Sequence, residues 1–200
     1  MTTANGRTAA YDIDPQYLER WSPRAFDGQP MPLDDLLTMF EAARWAPSTF
    51  NSQPWRFVYA LRGTPAWDKL FPLLVEFNQS WAHTASALVI IFSAETFKGP
   101  GGQQMASWSH SFDAGAASAA MTFQALKMGY YAHGMTGFLT DKAAETLGAP
   151  EGYRPEAAFA IGRRGDKSVL SEQLQAGEAP SPRNPLDTMV FEGGFAEGAA

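Results

Sequence analysis

The sequence predicts an α+β domain, with helices packed on a sheet and no regular strand–helix–strand alternation of the parallel kind. Three observations carry this. Residues 87–92 form the longest purely apolar run, the mark of a strand central in a sheet. Residues 33–46 place Leu33, Leu36, Leu37, Phe40, Ala43 and Ala46 at helical spacing. Residues 104–128 are rich in alanine and serine and read as one long helix, small enough on both faces for other helices to approach closely.

The remaining elements follow in order. Residues 1–11 carry no apolar pattern and read as a flexible tail ahead of a single domain over residues 12–200. Asp14-Pro15 offers an N-cap and a proline at the first helical position, predicting a short helix through Arg20. Pro32, Asp34 and Asp35 open the second helix, and Pro47 stops it, because the ring clashes with the carbonyl four residues back. Pro54 leads into Trp55-Arg56-Phe57-Val58-Tyr59, a strand by its aromatic and β-branched content. Thr64-Pro65 begins a third helix, with Trp67, Leu70, Phe71, Leu74 and Phe77 on one stripe. Gly99-Pro100-Gly101-Gly102 is a loop. Residues 130–135 read as a strand, 140–147 as a short helix and 157–161 as a strand. Beyond Gly165 the chain is spotted with proline and glycine, and residues 186–191 suit an edge strand.

Composition excludes several classes. Two hundred residues with 45% hydrophobic and 18% charged content describe one folded domain. A net charge of −6 argues against a general nucleic-acid binder, since phosphate contacts need clustered Lys and Arg. The absence of cysteine excludes disulfides, thiolate metal sites and cysteine nucleophiles. His83, His110 and His133 lack paired ligand spacing, so no metal site is expected. No G-x-S-x-G, Walker or dinucleotide glycine fingerprint occurs. There is no secretory leader pattern and no run long enough to cross a bilayer, so a cytoplasmic location is expected, with no membrane partner.

The chemistry concentrates between the second helix and the first strand. Arg44-Trp45-Ala46-Pro47-Ser48-Thr49-Phe50-Asn51-Ser52-Gln53-Pro54-Trp55-Arg56-Phe57 sets small hydroxyls and amides between two prolines. Composition alone fits an ordinary polar connection. Its order, however, resembles the motif that opens the core of the nitroreductase family, FMN-dependent oxidoreductases that work as intertwined homodimers. Other segments match collinearly, from about Tyr17 to about Phe191. Arg20-Trp21-Ser22-Pro23-Arg24-Ala25-Phe26 is similar to the family's flavin-phosphate motif. Phe77-Asn78-Gln79-Ser80-Trp81 resembles the segment ahead of its central strand, and Asp113-Ala114-Gly115-Ala116-Ala117 its long helix. Gly134-Met135-Thr136-Gly137-Phe138 and Ala158-Phe159-Ala160-Ile161-Gly162 follow, and Pro182-Arg183-Asn184-Pro185-Leu186 sits where the family places a basic residue.

The resemblance implies roles. Arg20, Ser22, Arg24 and Arg183, with Trp21 between the first two, would hold the FMN phosphate, because guanidinium forks pair with phosphate oxygens. Pro47, Ser48, Thr49, Asn51 and Gln53 would reach the flavin of the other subunit, amides suiting its pyrimidine edge. Asn51 and Gln53 could instead tie down their own loop. Asn78 and Trp81 map to the flavin's carbonyl-bearing edge, and Met135, Thr136 and Gly137 to a backbone N–H aimed at N5. Met105, Trp108, His110 and Phe112 lie where relatives line the substrate pocket, or belong to the core. Three positions depart from the pattern. Trp81 stands where some relatives carry a lysine, Thr136 where an acid is frequent, and Ser181 where a lysine is frequent. The implied function is hydride transfer from NAD(P)H through FMN to a small oxidised substrate such as a nitroaromatic, quinone or activated alkene, with no side chain assigned as catalytic. A flavin-storing protein without turnover is the alternative.

Overall fold

Proline and glycine cut the chain into short elements, described over residues 5–195 in a computed structural model. Asp14 accepts a hydrogen bond from the Gln16 N–H at 2.9 Å, ahead of the single turn α1 (Gln16–Glu19). α2 (Leu33–Arg44) begins after Pro32 with Asp34 and Asp35 in its first turn, where the helix dipole favours acid. β1 (Trp55–Leu61) follows Pro54. Pro72 divides the segment expected to be one helix. α3 (Trp67–Leu70) tightens into a 3-10 turn at Phe71–Leu73, the chain extends, and α4 (Glu76–Ala82) starts afresh. Then come β2 (Ala87–Ala94), β3 (Thr96–Lys98), β4 (Gln104–Ala106), α5 (His110–Lys127), β5 (Tyr131–Met135), α6 (Thr140–Thr146), β6 (Tyr153–Gly162) and α7 (Glu172–Ala176).

The main sheet runs β1-β2-β6-β5, antiparallel at every pairing. Apolar β2 is internal, as its composition predicts, and its alternate side chains feed two cores. Leu88, Ile90 and Phe92 pack with Trp67, Leu70, Trp81 and Ala143 from α3, α4 and α6. Ala87, Val89 and Ile91 pack with Leu36, Met39 and Ala43 of α2 and with Ala114, Ala117, Met121 and Ala125 of α5. Each large side chain so buried stabilises the fold by about 1.5–3 kcal/mol. The result is an α+β sandwich, helices on both faces of an antiparallel sheet.

Three local expectations are corrected. The long helix starts at His110, not Gln104: the glycine-rich turn folds Gln104–Ala106 back onto Thr96–Lys98 as a hairpin. Residues 186–191 form no strand; Pro185 leads into a 3-10 turn at Leu186–Thr188, closed by Thr188 N–H to Pro185 O at 3.2 Å. The flexible tail expected over residues 1–11 is tied down from Asn5, whose Nδ2 donates to Leu18 O at 2.9 Å. Residues 1–4 and 196–200 lie outside the described residues. No described helix is long and apolar enough to cross a membrane.

Candidate functional site

A groove of about 310 Å³ opens between α5 and the β5–β6 side of the sheet. Arg20 and Ser22 form one polar wall; Ser118, Ala119, Thr122 and Phe123 of α5 and Ala132, Gly134 and Phe159 of the sheet form the rest. The extended backbone after α1 explains the polar wall. Trp21 and Pro23 turn inward and are buried, Trp21 edge-on to Tyr131 at 6.4 Å, so the alternate residues Arg20 and Ser22 face the groove. Trp21 therefore anchors the segment and does not line the groove. Arg20 Nη1 donates to Ser22 Oγ at 3.3 Å. Gly134 keeps the floor flat, since a Cβ there would meet the Phe159 ring at 3.0 Å.

Positive charge gathers beside this wall. Burial, then the neighbouring Arg183 and Arg7, hold the Arg20 guanidinium below its ordinary value. Arg183 is exposed and donates to Pro182 O at 2.9 Å and Ser181 Oγ at 3.2 Å. Arg24 goes elsewhere: its guanidinium lies 6.0 Å over the Trp81 ring, with Nε buried and lacking a partner. The Arg24 and Ala25 N–H groups donate to Glu178 at 2.8 and 2.9 Å. Trp81 is 1% exposed, between Phe26 and His133, so it is a core residue and offers the groove no surface. His133 Nδ1 donates to Pro23 O at 3.0 Å; burial pushes this imidazole below its ordinary value.

The 47–53 loop is strained and fastened. Phe50, Asn51 and Gln53 all adopt positive φ (53°, 53° and 49°), which costs side-chain-bearing residues about 1–2 kcal/mol each. Ser48 Oγ accepts from the Gln53 N–H at 3.0 Å and Gln53 Nε2 donates to Asn51 O at 3.0 Å, so Gln53 does tie down its own loop. The loop docks on Asp113 at the start of α5, while the groove uses Ala119, Thr122 and Phe123. Asp113 and Thr122 are about half a turn out of phase and about 13 Å apart along the helix. Loop and groove of one chain thus occupy opposite flanks of α5. Pro47, Asn51 and Gln53 are exposed, and Ser48 and Thr49 half-buried.

Asn78 is buried, and its Nδ2 donates to Gly137 O at 2.8 Å; the Val75 N–H reaches the same oxygen at 3.1 Å. A Cβ on Gly137 would come within 2.7 Å of that Nδ2, so a larger residue here would have to displace the Asn78 amide. Met135 is buried and Thr136 exposed. The four expected pocket residues separate. Trp108 and Phe112 are 88% and 79% exposed, Met105 lies on the hairpin, and His110 turns inward to Ser93 Oγ at 2.7 Å and Glu156 Oε1 at 3.3 Å. Burial pushes the Glu156 carboxyl up, but hydrogen bonds from Arg154, Ser93 and Ser111 outweigh it and hold it below its ordinary value. Sequence reasoning missed Phe50, which stacks on Phe97 at 5.5 Å, and Arg7. No described cluster of His, Asp or Glu could hold a metal.

Fold and groove define an α+β protein with a cleft of mixed polar and apolar lining, walled on one side by Arg20 and Ser22. The chain belongs to the Nitroreductase family, whose sequence pattern matches residues 17–76 and 61–163. It is similar to a crystal structure described as an oxidoreductase containing FMN, at 48% identity over 98% of this chain and 99% of that one, with a TM-score of 0.94. A 15.4 kDa protein from the ask 5′ region of Mycolicibacterium smegmatis is 33% identical over 146 residues, 69% of this chain and 95% of that protein. An enone reductase of gut-bacterial fatty acid saturation shares the fold at 24% identity, covering 76% of this chain and 88% of that one, with a TM-score of 0.65.

Proposed function

We propose that this chain binds FMN in the α5 groove and acts as an NAD(P)H-dependent oxidoreductase on a small oxidised substrate. The observation that carries the reading is the wall of Arg20 and Ser22, beside Arg183, along a groove floored by Ala132, Gly134 and Phe159. A charged phosphate suits the guanidinium wall, and a planar ring suits the floor kept open by Gly134. The 48% identical FMN-containing oxidoreductase supports the same ligand. Bound FMN supplies the hydride chemistry, and the protein supplies position and electrostatics. Arg20, Ser22 and Arg183 grip the phosphate. Asn78 and the Val75 N–H fix the Gly137 carbonyl and hence the backbone that the family resemblance sets against the flavin ring.

The active species in this reading is a homodimer. Each chain's 47–53 loop, on the far flank of its own α5, serves the groove of the other chain. Trp108, Phe112 and Phe50, the last 70% exposed, supply apolar surface for that assembly and for a nitroaromatic, quinone or activated alkene. Purified protein should be yellow and carry non-covalent FMN. Anaerobic NADH or NADPH should bleach the visible flavin band. Colourless protein that takes up no added FMN would overturn the flavin assignment; persistent colour with both nucleotides would leave a flavin-storing protein instead.

A further inference from the structure

We infer that a second small-molecule site lies on the other face of the sheet, suited to a planar aromatic carboxylate. It is independent of the FMN reading.

A cavity of about 270 Å³ lies between the sheet and the end of α6. Arg56, Phe92 and Tyr153 line it from the strands, and Leu147, Ala149 and Pro150 from the turn after α6. Strand pairing fixes the side. Arg56 stands opposite Phe92, and Val58, also in the lining, opposite Ile90. Phe92, Ile90 and Val58 belong to the core under α3, α4 and α6. Phe159, in the floor of the groove, stands opposite Val89 and belongs to the other core. The sheet therefore separates the two openings.

Two local features build the cavity. β6 bulges at Glu156, where its register against Ile91 and Phe92 shifts, and a bulge bends and twists its strand. The chain leaves α6 through Gly148 in the left-handed region (φ 65°). There the Gly148 and Ala149 N–H groups donate to Glu145 O and Ala144 O at 3.1 and 2.9 Å. This wall is fastened without a ligand.

The lining gives the ligand class. Buried Phe92, the half-buried Tyr153 ring, Leu147 and Pro150 offer apolar surface to a flat hydrocarbon. Drug-sized ligands occupy about 300–1,000 Å³, so this smaller space limits the guest to one or two rings. Exposed Arg56 supplies the cation, its guanidinium 5.6 Å over the Tyr153 ring. Its Nη1 is spent on Gln53 O and Trp55 O, at 3.0 and 2.7 Å. Nε and Nη2, which share the opposite edge of the group, have no partner among the described residues, and no carboxylate pairs with Arg56. Glu156 is turned instead to Ser93, Ser111 and Arg154. Two parallel N–H donors on one edge match the two oxygens of a carboxylate.

The test is isothermal titration of the full-length protein with 2-naphthoate and, separately, with 2-naphthylmethanol, which keeps the rings and lacks the charge. The parent should bind the acid about tenfold more tightly or better. Arg56→Gln should abolish that preference. Because Arg56 also fastens the 47–53 loop, a second variant leaves it in place: Val58→Phe, filling the cavity from the sheet, should weaken both probes about tenfold or more. Saturating FMN should leave 2-naphthoate binding unchanged. Displacement by FMN, equal affinity for acid and alcohol, no binding of either, or undiminished binding to Val58→Phe would each overturn the inference. The acid–alcohol comparison and the FMN competition use the parent alone, so they decide the matter even where a variant unfolds. Failure to take up FMN would overturn only the flavin reading.

Discussion

Asp113, buried in the first turn of α5, accepts a hydrogen bond from the Thr49 backbone N–H at 3.1 Å and so fastens the strained 47–53 loop to the long helix. The Ser109 hydroxyl completes the contact, 2.8 Å from Thr49 Oγ1 and 3.1 Å from Asp113 Oδ2. Asp113→Ala removes the acceptor and leaves the half-buried Thr49 N–H unpaired. The variant should lose about 1–3 kcal/mol of stability in urea unfolding. An unchanged midpoint and slope would mean that the loop is held by other contacts.

Gly137→Ala forces a methyl against Asn78 Nδ2 and Val75 Cγ2, at 2.7 and 3.1 Å. A cost of about 1–3 kcal/mol is expected from overpacking. Asn78→Ala should cost a similar amount by leaving the Gly137 carbonyl one donor short. The two residues share one contact, so the double variant should lose clearly less than the sum. Additive losses in that cycle would separate them.

His133 gives a pH signature. Burial, aided by Arg24, sets its native pKa below the ordinary 6.5, while the Pro23 carbonyl and Glu178 offset part of the effect. As pH falls past 6.5 the unfolded chain binds more protons than the native one. This contribution is therefore complete above that pH and is lost as pH drops toward the native value. His133→Asn, which keeps a donor for Pro23, should flatten the stability profile between about pH 7.5 and about pH 5. Parallel profiles for parent and variant would refute the assignment.

The two-chain site proposed above predicts complementation. An Arg20→Ala chain and an Asn51→Ala, Ser48→Ala chain should each bind FMN weakly alone. Mixed as a heterodimer, one groove carries both lesions and the other neither, so about half the tight sites should return. A stable flavin-loaded monomer in sedimentation would end the idea.

The legible parts of the sequence were those with an unbroken local pattern. Residues 87–92 gave β2 because an apolar run buried on both faces has no polar side to mislead. The stripe from Leu33 gave α2. The start of α5 was misread because Gln104, Met105 and Ala106 are good helix formers, and only the glycine turn ahead of them sets the hairpin. Trp81 was expected at the flavin because its position in the motif said so. The side chain goes instead to the core, where Phe26 and His133 enclose it. Arg7 carried no local signal at all. Its guanidinium donates to carbonyls 11, 13 and 174 positions away, and no window along the chain spans the last.

That last separation orders the protein's birth. Arg7 leaves the ribosome early and Arg183 only after every strand of the sheet, since β6 closes at Gly162. The two hydrophobic cores can assemble around β2 while the cationic corner is still in pieces. The Arg7–Ser181 tie thus joins the two ends of the described chain only after the last strand of the sheet has been made.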